Sequence, residues 1–190
     1  MNESKENIIK ASLALFLNNS YASVSMRDIL REAKLSRGAF YHYFEGKKTC
    51  FEACVKYYLT EVTHPEPADY TGVTLKTFIE DNLARLPRIA PTASAPNKFL
   101  FYSEAIRIIP SFVEYLKRRN NEELSVWAKV VENAAKTGEI KTDIPTEEIA
   151  ALFITQCDGV SVIGSATMDY ESGCAEVKKQ WNNLYSLIRR

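Results

Sequence analysis

Two short helices joined by a tight turn are predicted between residues 25 and 47, and no other segment constrains the fold as strongly. Ser25 and Asp28 have the spacing of a capping box, in which each side chain accepts a hydrogen bond from the backbone N–H of the other residue. Apolar residues then recur at helical intervals, at Met26, Ile29, Leu30 and Ala33. The first helix of the pair is therefore predicted to start at Ser25 and to bury one face.

The second helix of the pair is predicted to begin at Ser36 and to run through Phe44. Lys34 and Leu35 form the break, and Ser36 can cap the helix that follows it. Phe40 and Phe44 lie four residues apart and anchor this helix inward. The other side carries one cation, two very small residues and two flat polar rings, namely Arg37, Gly38, Ala39, Tyr41 and His42. A face of this composition suits close approach to a DNA duplex.

A further helix is predicted upstream, starting at Asn2 or Ser4, with an apolar stripe at Ile9, Leu13, Phe16 and Leu17. These three helices resemble the amino-terminal DNA-binding domain of the tetracycline-repressor (TetR) family of bacterial regulators. The residues that carry the resemblance are Ile9, Ala11, Leu15 and Phe16, then Ser25 to Ile29 and Ala33, then Leu35 to Gly38, Phe40 to Phe44 and Lys47. One departure is Lys34, because the family favours glycine in this turn and a positive φ costs a lysine about 1 kcal/mol.

The predicted DNA-contacting residues follow from the exposed face together with the resemblance. Arg37 can contact a guanine edge or a phosphate, and Tyr41 and Lys47 match the phosphate-contacting Tyr and Lys of the family. His42 is expected to contact a base or a phosphate, since neither a nucleophile nor an orienting carboxylate is near it on the helix. The full set is Ser25, Met26, Arg27, Ser36, Arg37, Gly38, Ala39, Tyr41, His42 and Lys47.

Charge is distributed in favour of this assignment, although the net charge of the whole chain is zero. Residues 1–60 carry nine Lys and Arg against six Asp and Glu, a net charge of +3. The basic excess thus coincides with the helix pair. Because it is modest, we expect few phosphate contacts per subunit and a specificity that depends on base contacts and dimer geometry.

Other features of the sequence argue against a metalloprotein or a membrane protein. Cys50 and Cys54 lie four residues apart, but no third cysteine or nearby histidine completes a site, so we expect core packing, no metal and no cofactor. Apolar runs fall far short of the roughly 20 residues that span a bilayer, and no leader-like segment follows Met1. The sequence therefore predicts a cytoplasmic protein.

The remaining sequence predicts further helices, about nine in total, with prolines between them. One helix should run from Gly46 to about Val62, a long one from Pro110 to Lys136 with Gly138 just beyond its end, and the last from about Cys174 to Arg190. Two proline-rich connections interrupt the series, at residues 63–67 and 87–96. No strand-like alternation is present. The predicted fold is all-α, with a helix-turn-helix DNA-binding domain at residues 1–46 and a helical effector-binding and dimerisation domain at residues 47–190.

The resemblance also implies that the second domain binds a small molecule and pairs with a second copy of the chain. The candidate pocket residues are Phe101, Tyr102, Trp127, Phe153 and Gln156. Simple core packing explains each aromatic residue equally well, and Gln156 can either orient a ligand or bond across the dimer. The predicted dimer interface lies on the last two helices and comprises Val160, Ile163, Gly164, Val177, Trp181, Leu184 and Ile188.

The sequence thus predicts a homodimeric, ligand-responsive transcriptional regulator, a repressor in the first instance, which binds a palindromic operator and is released by a small-molecule effector. An activator can share this architecture. A helical enzyme with His42 or His64 as the base and a cysteine as the nucleophile is disfavoured, since the chain has no plausible triad, metal site or phosphate loop. A helical small-molecule carrier or adaptor without DNA binding is the remaining alternative, but it leaves the face of Arg37, Gly38 and Tyr41 unexplained.

Overall fold

The chain is all-α, as predicted, in the residues that the computed structural model describes. These are residues 3–59, 70, 72–86 and 98–190, with the backbone alone described at 98, 99, 165 and 166. Nine helices occur in these ranges: α1 (Glu3–Asn18), α2 (Met26–Glu32), α3 (Arg37–Tyr41), α4 (Lys47–Tyr57), α5 (Leu75–Arg85), α6 (Lys98–Ile108), α7 (Phe112–Thr137), α8 (Thr146–Thr167) and α9 (Tyr170–Ile188). His64 and the two predicted proline-rich connections lie outside the described residues.

Some helix ends differ from the predictions, and local hydrogen bonds explain why. The last helix begins at Tyr170 rather than near Cys174, because the Asp169 carboxylate caps it and accepts a hydrogen bond from the backbone N–H of Ser172 at 2.8 Å. The second helix of the amino-terminal pair ends at Tyr41 rather than Phe44. The end of α7 agrees with the prediction, since Gly138 follows it with a φ of 76° in the left-handed region.

The chain packs as two compact units, which interleave along the sequence. Unit 1 comprises residues 1–67 and 96–112, and unit 2 comprises residues 68–95 and 113–190. Helices α4 and α6 therefore belong with α1, α2 and α3, because both pack against α1 and against each other. The packing boundary thus differs from the domain boundary predicted at residues 46 and 47, which remains a prediction about function.

The core of unit 1 is aromatic and includes two buried thiols. Phe51 of α4 makes edge contacts with Phe16 of α1 and Phe101 of α6, with ring centroids 4.9 and 5.6 Å apart. Cys50 and Cys54 are fully buried beside these rings. Their thiols lie 3.4 Å from the Ser12 hydroxyl and 3.5 Å from the Ile9 carbonyl oxygen, respectively, and burial raises the pKa of the Cys54 thiol. Both cysteines therefore pack in the core, as the sequence predicts.

The core of unit 2 is built around a cluster of large rings from α5, α7, α8 and α9. Trp127 stacks on Phe153 at 5.0 Å and makes edge contacts with Phe78 at 4.7 Å and Trp181 at 5.1 Å. The Trp181 indole N–H donates to the Phe153 carbonyl oxygen at 2.8 Å. Each buried ring thus contacts a neighbouring ring, and the Trp181 donor is satisfied.

A carboxylate after α7 holds the start of α5 in unit 2. Glu139 accepts hydrogen bonds from the backbone N–H groups of Leu75 and Lys76, each at 2.9 Å. It also accepts one from the Tyr185 hydroxyl at 3.1 Å. The first N–H groups of a helix have no partner within the helix. Glu139, which is distant in sequence, therefore caps the amino-terminal end of α5. None of the helices in the described ranges has the length and apolar character required to cross a membrane.

Candidate nucleic-acid interface

The first helix of the amino-terminal pair starts with the predicted capping box. The backbone N–H of Ser25 donates to Asp28 Oδ2 at 3.0 Å, and the backbone N–H of Asp28 donates to Ser25 Oγ at 3.2 Å. The Ser25 hydroxyl also donates to the carboxylate, and these bonds, with Arg31 nearby, lower the pKa of Asp28. Ser25 and Arg27 are exposed at this helix start, and Met26 is half-buried.

The turn between the two helices is tight and places one residue in a strained conformation. The backbone N–H of Leu35 donates to the Leu30 carbonyl oxygen at 3.0 Å and closes the turn. Lys34 has a φ of 53°, and among the described residues other than glycine no second one has a positive φ. Lys34 thus adopts the left-handed conformation that favours glycine, and its Cβ strains the backbone, as the sequence predicts.

The second helix is short, buried on one side and exposed on the other. Ser36 caps it by accepting a hydrogen bond from the backbone N–H of Ala39 at 3.2 Å. Phe40 and Phe44 are 0% and 5% exposed, so the predicted anchors are in the core. Among the residues from Ser36 to His42 that are predicted to contact DNA, Ala39 is half-buried. The others are exposed, namely Ser36, Arg37, Gly38, Tyr41 and His42.

The exposed face of α3 is cationic and permits close approach. The Arg37 guanidinium lies 5.8 Å from the centroid of the Tyr41 ring, within the range of a cation–π contact. Gly38 has open space around it, since a Cβ added there would meet no atom within 4 Å. No atom of the described residues therefore requires glycine at this position.

Lys47 is more constrained than the sequence indicates. Its ammonium group donates to the carbonyl oxygens of Tyr21 and Val24, at 2.8 and 2.9 Å, and lies 4.2 Å from the centroid of the Tyr21 ring. These bonds use two of the three ammonium hydrogens and leave one for a phosphate. Sequence reasoning missed this anchoring because its acceptors are backbone carbonyls more than 20 residues away.

This helix-turn-helix lies in the segment of the chain that matches a known protein family. Residues 8–54 match the family described as bacterial regulatory proteins, tetR family. The helix-turn-helix segment of the chain is thus similar to that of the TetR family. The matched residues run from α1 into α4 and include every predicted DNA-contacting residue.

The proteins to which this chain is similar include transcriptional regulators. The HTH-type transcriptional regulator YerO of Bacillus subtilis is 39% identical over 59 residues, which cover 31% of this chain but only 20% of YerO. The HTH-type transcriptional repressor KstR2 of Rhodococcus jostii is 22% identical over 174 residues, covering 85% of this chain and 82% of KstR2. A TetR transcription regulator from Haloarcula marismortui has a TM-score of 0.75 at 16% identity, with all of both chains covered, and shares the fold.

Three of the aromatic residues predicted to line an effector pocket, Phe101, Trp127 and Phe153, are core residues of the chain. Phe101 belongs to unit 1, is fully buried and packs edge-on against Phe51 and Tyr58. Trp127 and Phe153 belong to unit 2 and cover each other's faces. These contacts are those of the core-packing alternative considered from the sequence. Half-buried Tyr102 also lies in unit 1, so it shares no compact unit with Trp127 and Phe153.

Two polar features of unit 2 are relevant to ligand binding. The Gln156 side-chain oxygen is buried and has no hydrogen-bond partner among the residues that the structure describes. A groove of about 350 Å³ lies elsewhere, lined by Asn121, Leu124, Ser125, Ala128, Lys129, Glu132, Thr146 and Glu147. This groove is not predictable from the sequence, because its lining is mainly polar and has no aromatic pattern.

The predicted dimer interface stays a prediction, but four of its residues, Val177, Trp181, Ile188 and Gly164, are buried within a single chain. Val177, Trp181 and Ile188 are 3%, 4% and 8% exposed within a single chain, where they pack in the core of unit 2. A residue covered by its own chain cannot offer that surface to a second copy. Ile163 is 63% exposed, and Val160 and Leu184 are half-buried. A Cβ added at Gly164 would lie 3.7 Å from Val160 Cγ1. Three large apolar side chains outside the predicted interface are also exposed on α8 and α9, namely Leu152, Val162 and Leu187.

Proposed function

We propose that this protein is a ligand-responsive transcriptional regulator that binds a palindromic DNA operator as a homodimer and acts as a repressor. The observation that carries the proposal is the exposed face of α3. There an arginine, a glycine with open space around it, a half-exposed tyrosine and a histidine project from a helix that two phenylalanines anchor in the core. The TetR-family helix-turn-helix match supports the same assignment.

Each residue of this face has a definite role in the proposal. Arg37 makes a bidentate contact with guanine O6 and N7 or pairs with a phosphate, and Tyr41 donates to a phosphate. Gly38 and Ala39 allow the helix to enter the groove, while His42 contacts a base or a phosphate. Ser25, Met26 and Arg27 meet the backbone on the other side of the groove. Lys47 adds a phosphate contact through its remaining ammonium hydrogen.

The proposal extends to dimerisation, release and the sign of regulation. Two copies pair through α8 and α9, and their recognition helices meet half-sites ~34–36 Å apart. A small-molecule effector binds the second predicted domain, residues 47–190, and contacts the Gln156 side chain. The bound effector favours a spacing of the two recognition helices that does not fit the operator. Repression is proposed because KstR2, which is similar along most of its length, is named a repressor. Such a regulator acts in the cytoplasm, where its operator is.

The test is selection of bound duplexes from a random DNA pool by the purified protein, followed by titration of the winning sequence. We expect the selected duplex to be palindromic. Arg37→Ala should weaken binding by roughly 10- to 100-fold, in line with the loss of one bidentate contact worth ~1–3 kcal/mol. Tyr41→Ala should weaken it less. Binding by the wild type should also weaken as salt is raised.

Arg118→Ala provides a matched control for the removal of a positive charge. Arg118 is an exposed arginine on α7 of unit 2, so its removal should leave operator affinity unchanged. A helical carrier or adaptor without DNA binding makes the opposite prediction. It would select no duplex, and Arg37→Ala would behave like Arg118→Ala in every assay.

A further inference from the structure

Glu104 of α6 is a charged residue buried in unit 1, with an exposed fraction of 6%. Its Oε2 accepts a hydrogen bond from the backbone N–H of Tyr21 at 2.5 Å. Arg107, one turn further along α6, lies 3.7 Å from Oε1, but its own side chain is 70% exposed. Removing a carboxylate from water is unfavourable unless it is hydrogen-bonded, so the Tyr21 amide is a substantial reason why this side chain can be buried.

Tyr21 is held on both sides of its backbone. Its N–H is bound by Glu104 of α6, and its carbonyl oxygen accepts from the Lys47 ammonium of α4 at 2.8 Å. Its ring packs against Phe16 and Phe51, with centroid separations of 5.9 and 5.0 Å. The same ammonium group binds the Val24 carbonyl oxygen, one residue before the Ser25 cap of α2. The loop at residues 20–24 is therefore fixed from α6 and α4 at once.

We propose that Glu104 is a positioning residue for the DNA-binding face, and that it acts through Tyr21 on the loop before α2 and on the Lys47 ammonium. The inference rests on the proposed DNA-binding function and names a residue that lies outside the helix-turn-helix. With the Tyr21 N–H fixed, the Tyr21 and Val24 carbonyls stay where they hold the Lys47 ammonium in place, ready for a phosphate. Without Glu104, the part-buried Tyr21 amide loses its acceptor and the loop shifts to reach water.

The first measurement concerns the hydrogen bond between the Tyr21 N–H and Glu104, and it needs no DNA. Hydrogen exchange of the Tyr21 amide is followed by NMR in the full-length free protein. In Glu104→Leu, which removes the acceptor and keeps an apolar volume, exchange should accelerate by about tenfold or more. Glu104→Gln keeps a neutral acceptor and should give an intermediate rate, because charge-assisted bonds are the stronger ones. Arg107→Ala should leave the rate unchanged.

The second measurement concerns DNA. Affinity for the selected operator should fall about tenfold in Glu104→Leu, a loss of the size expected for one charge-assisted bond, and should be largely restored in Glu104→Gln. In a double-mutant cycle with Lys47→Met, the effect of Glu104→Leu should shrink to below about twofold, since both changes act on the same ammonium. A merely structural role would lower affinity equally in both backgrounds.

Outcomes separate this inference from the proposed function. An unchanged Tyr21 exchange rate in both Glu104 variants overturns the inference, as does an undiminished effect in the Lys47→Met background. If the wild type selects no duplex, the regulator proposal fails, and the exchange measurement then decides whether Glu104 holds the loop. If the leucine variant does not fold, Glu104→Gln replaces it, with faster exchange than the wild type supporting the inference and an equal rate overturning it.

Discussion

At the scale of single residues, Lys34 is where the sequence and the backbone conformation disagree. A φ of 53° is free of steric cost for glycine and unfavourable for lysine, whose Cβ approaches the carbonyl oxygen. We predict that Lys34→Gly raises the free energy of unfolding by about 0.5–1 kcal/mol, the strain being partly offset by the greater chain entropy of glycine when unfolded. Urea denaturation of the purified protein measures this change.

Lys34→Ala is the control for that prediction. It removes the same charge but keeps the Cβ, so its unfolding free energy should stay close to that of the wild type. Equal stability of the glycine and alanine variants would show that the turn carries no strain. Because both variants lose one positive charge near the proposed DNA face, any fall in operator affinity that they share reports charge rather than backbone conformation.

The side-chain contacts that the sequence predicted at this scale are those between near neighbours. Ser25 with Asp28 and Ser36 with Ala39 are three residues apart, so the spacing alone specifies the capping bonds. The partners of Lys47 and Glu104 could not be predicted in this way. Their acceptor and donor are backbone groups 26 and 83 residues away, and only the folded chain brings them together.

At the scale of helices, α3 combines a good anchor with a poor helix former. Gly38 lies within the helix and has room for a methyl group, so Gly38→Ala should stabilise the protein by about 0.5–1 kcal/mol through helix propensity alone. If this face enters a DNA groove, the same methyl group should weaken operator binding. We therefore predict that stability and affinity move in opposite directions, as measured by urea denaturation and by DNA titration.

Gly173→Ala tests whether added helix propensity is itself the cause. Gly173 lies in the first turn of α9 in unit 2 and also has no atom within 4 Å of an added Cβ. This variant should gain stability and keep its affinity for a single half-site, which does not depend on the pairing proposed through α8 and α9. If Gly38→Ala instead binds the operator as tightly as the wild type, close approach of α3 to the duplex is ruled out as the reason for glycine at this position.

Helix number and class were predictable because apolar spacing and proline breaks are local signals. The ends were less so, and the start of α9 shows the reason. Glycine at 173 and the polar run before it weaken the apolar pattern, yet the Asp169 cap starts the helix at Tyr170. The carboxylate at Glu139 makes the same point from further away, since it caps α5 from the loop after α7.

At the scale of the whole molecule, periodicity identifies an apolar stripe but not what covers it. Val177, Trp181 and Ile188 form such a stripe on α9, and its partner proves to be the core of the same chain. The residues that remain exposed are better candidates for an intermolecular surface. Ile163 on α8 is 63% exposed and Leu187 on α9 is 83% exposed.

The dimer proposal therefore makes its clearest prediction at Ile163. Ile163→Asp places a charge where an apolar contact is proposed, and should weaken self-association at least about tenfold, because an unpaired carboxylate resists burial. Sedimentation at micromolar concentration measures this change. Binding to a full palindrome should weaken as well, because two separated subunits no longer bring the second DNA-binding domain close to the second half-site. Binding to a single half-site should not change.

Ile144→Asp is the control, because Ile144 is 46% exposed and lies outside α8 and α9. A wild-type chain that sediments as a monomer, or an Ile163→Asp variant that associates as tightly as Ile144→Asp, would exclude pairing through this surface.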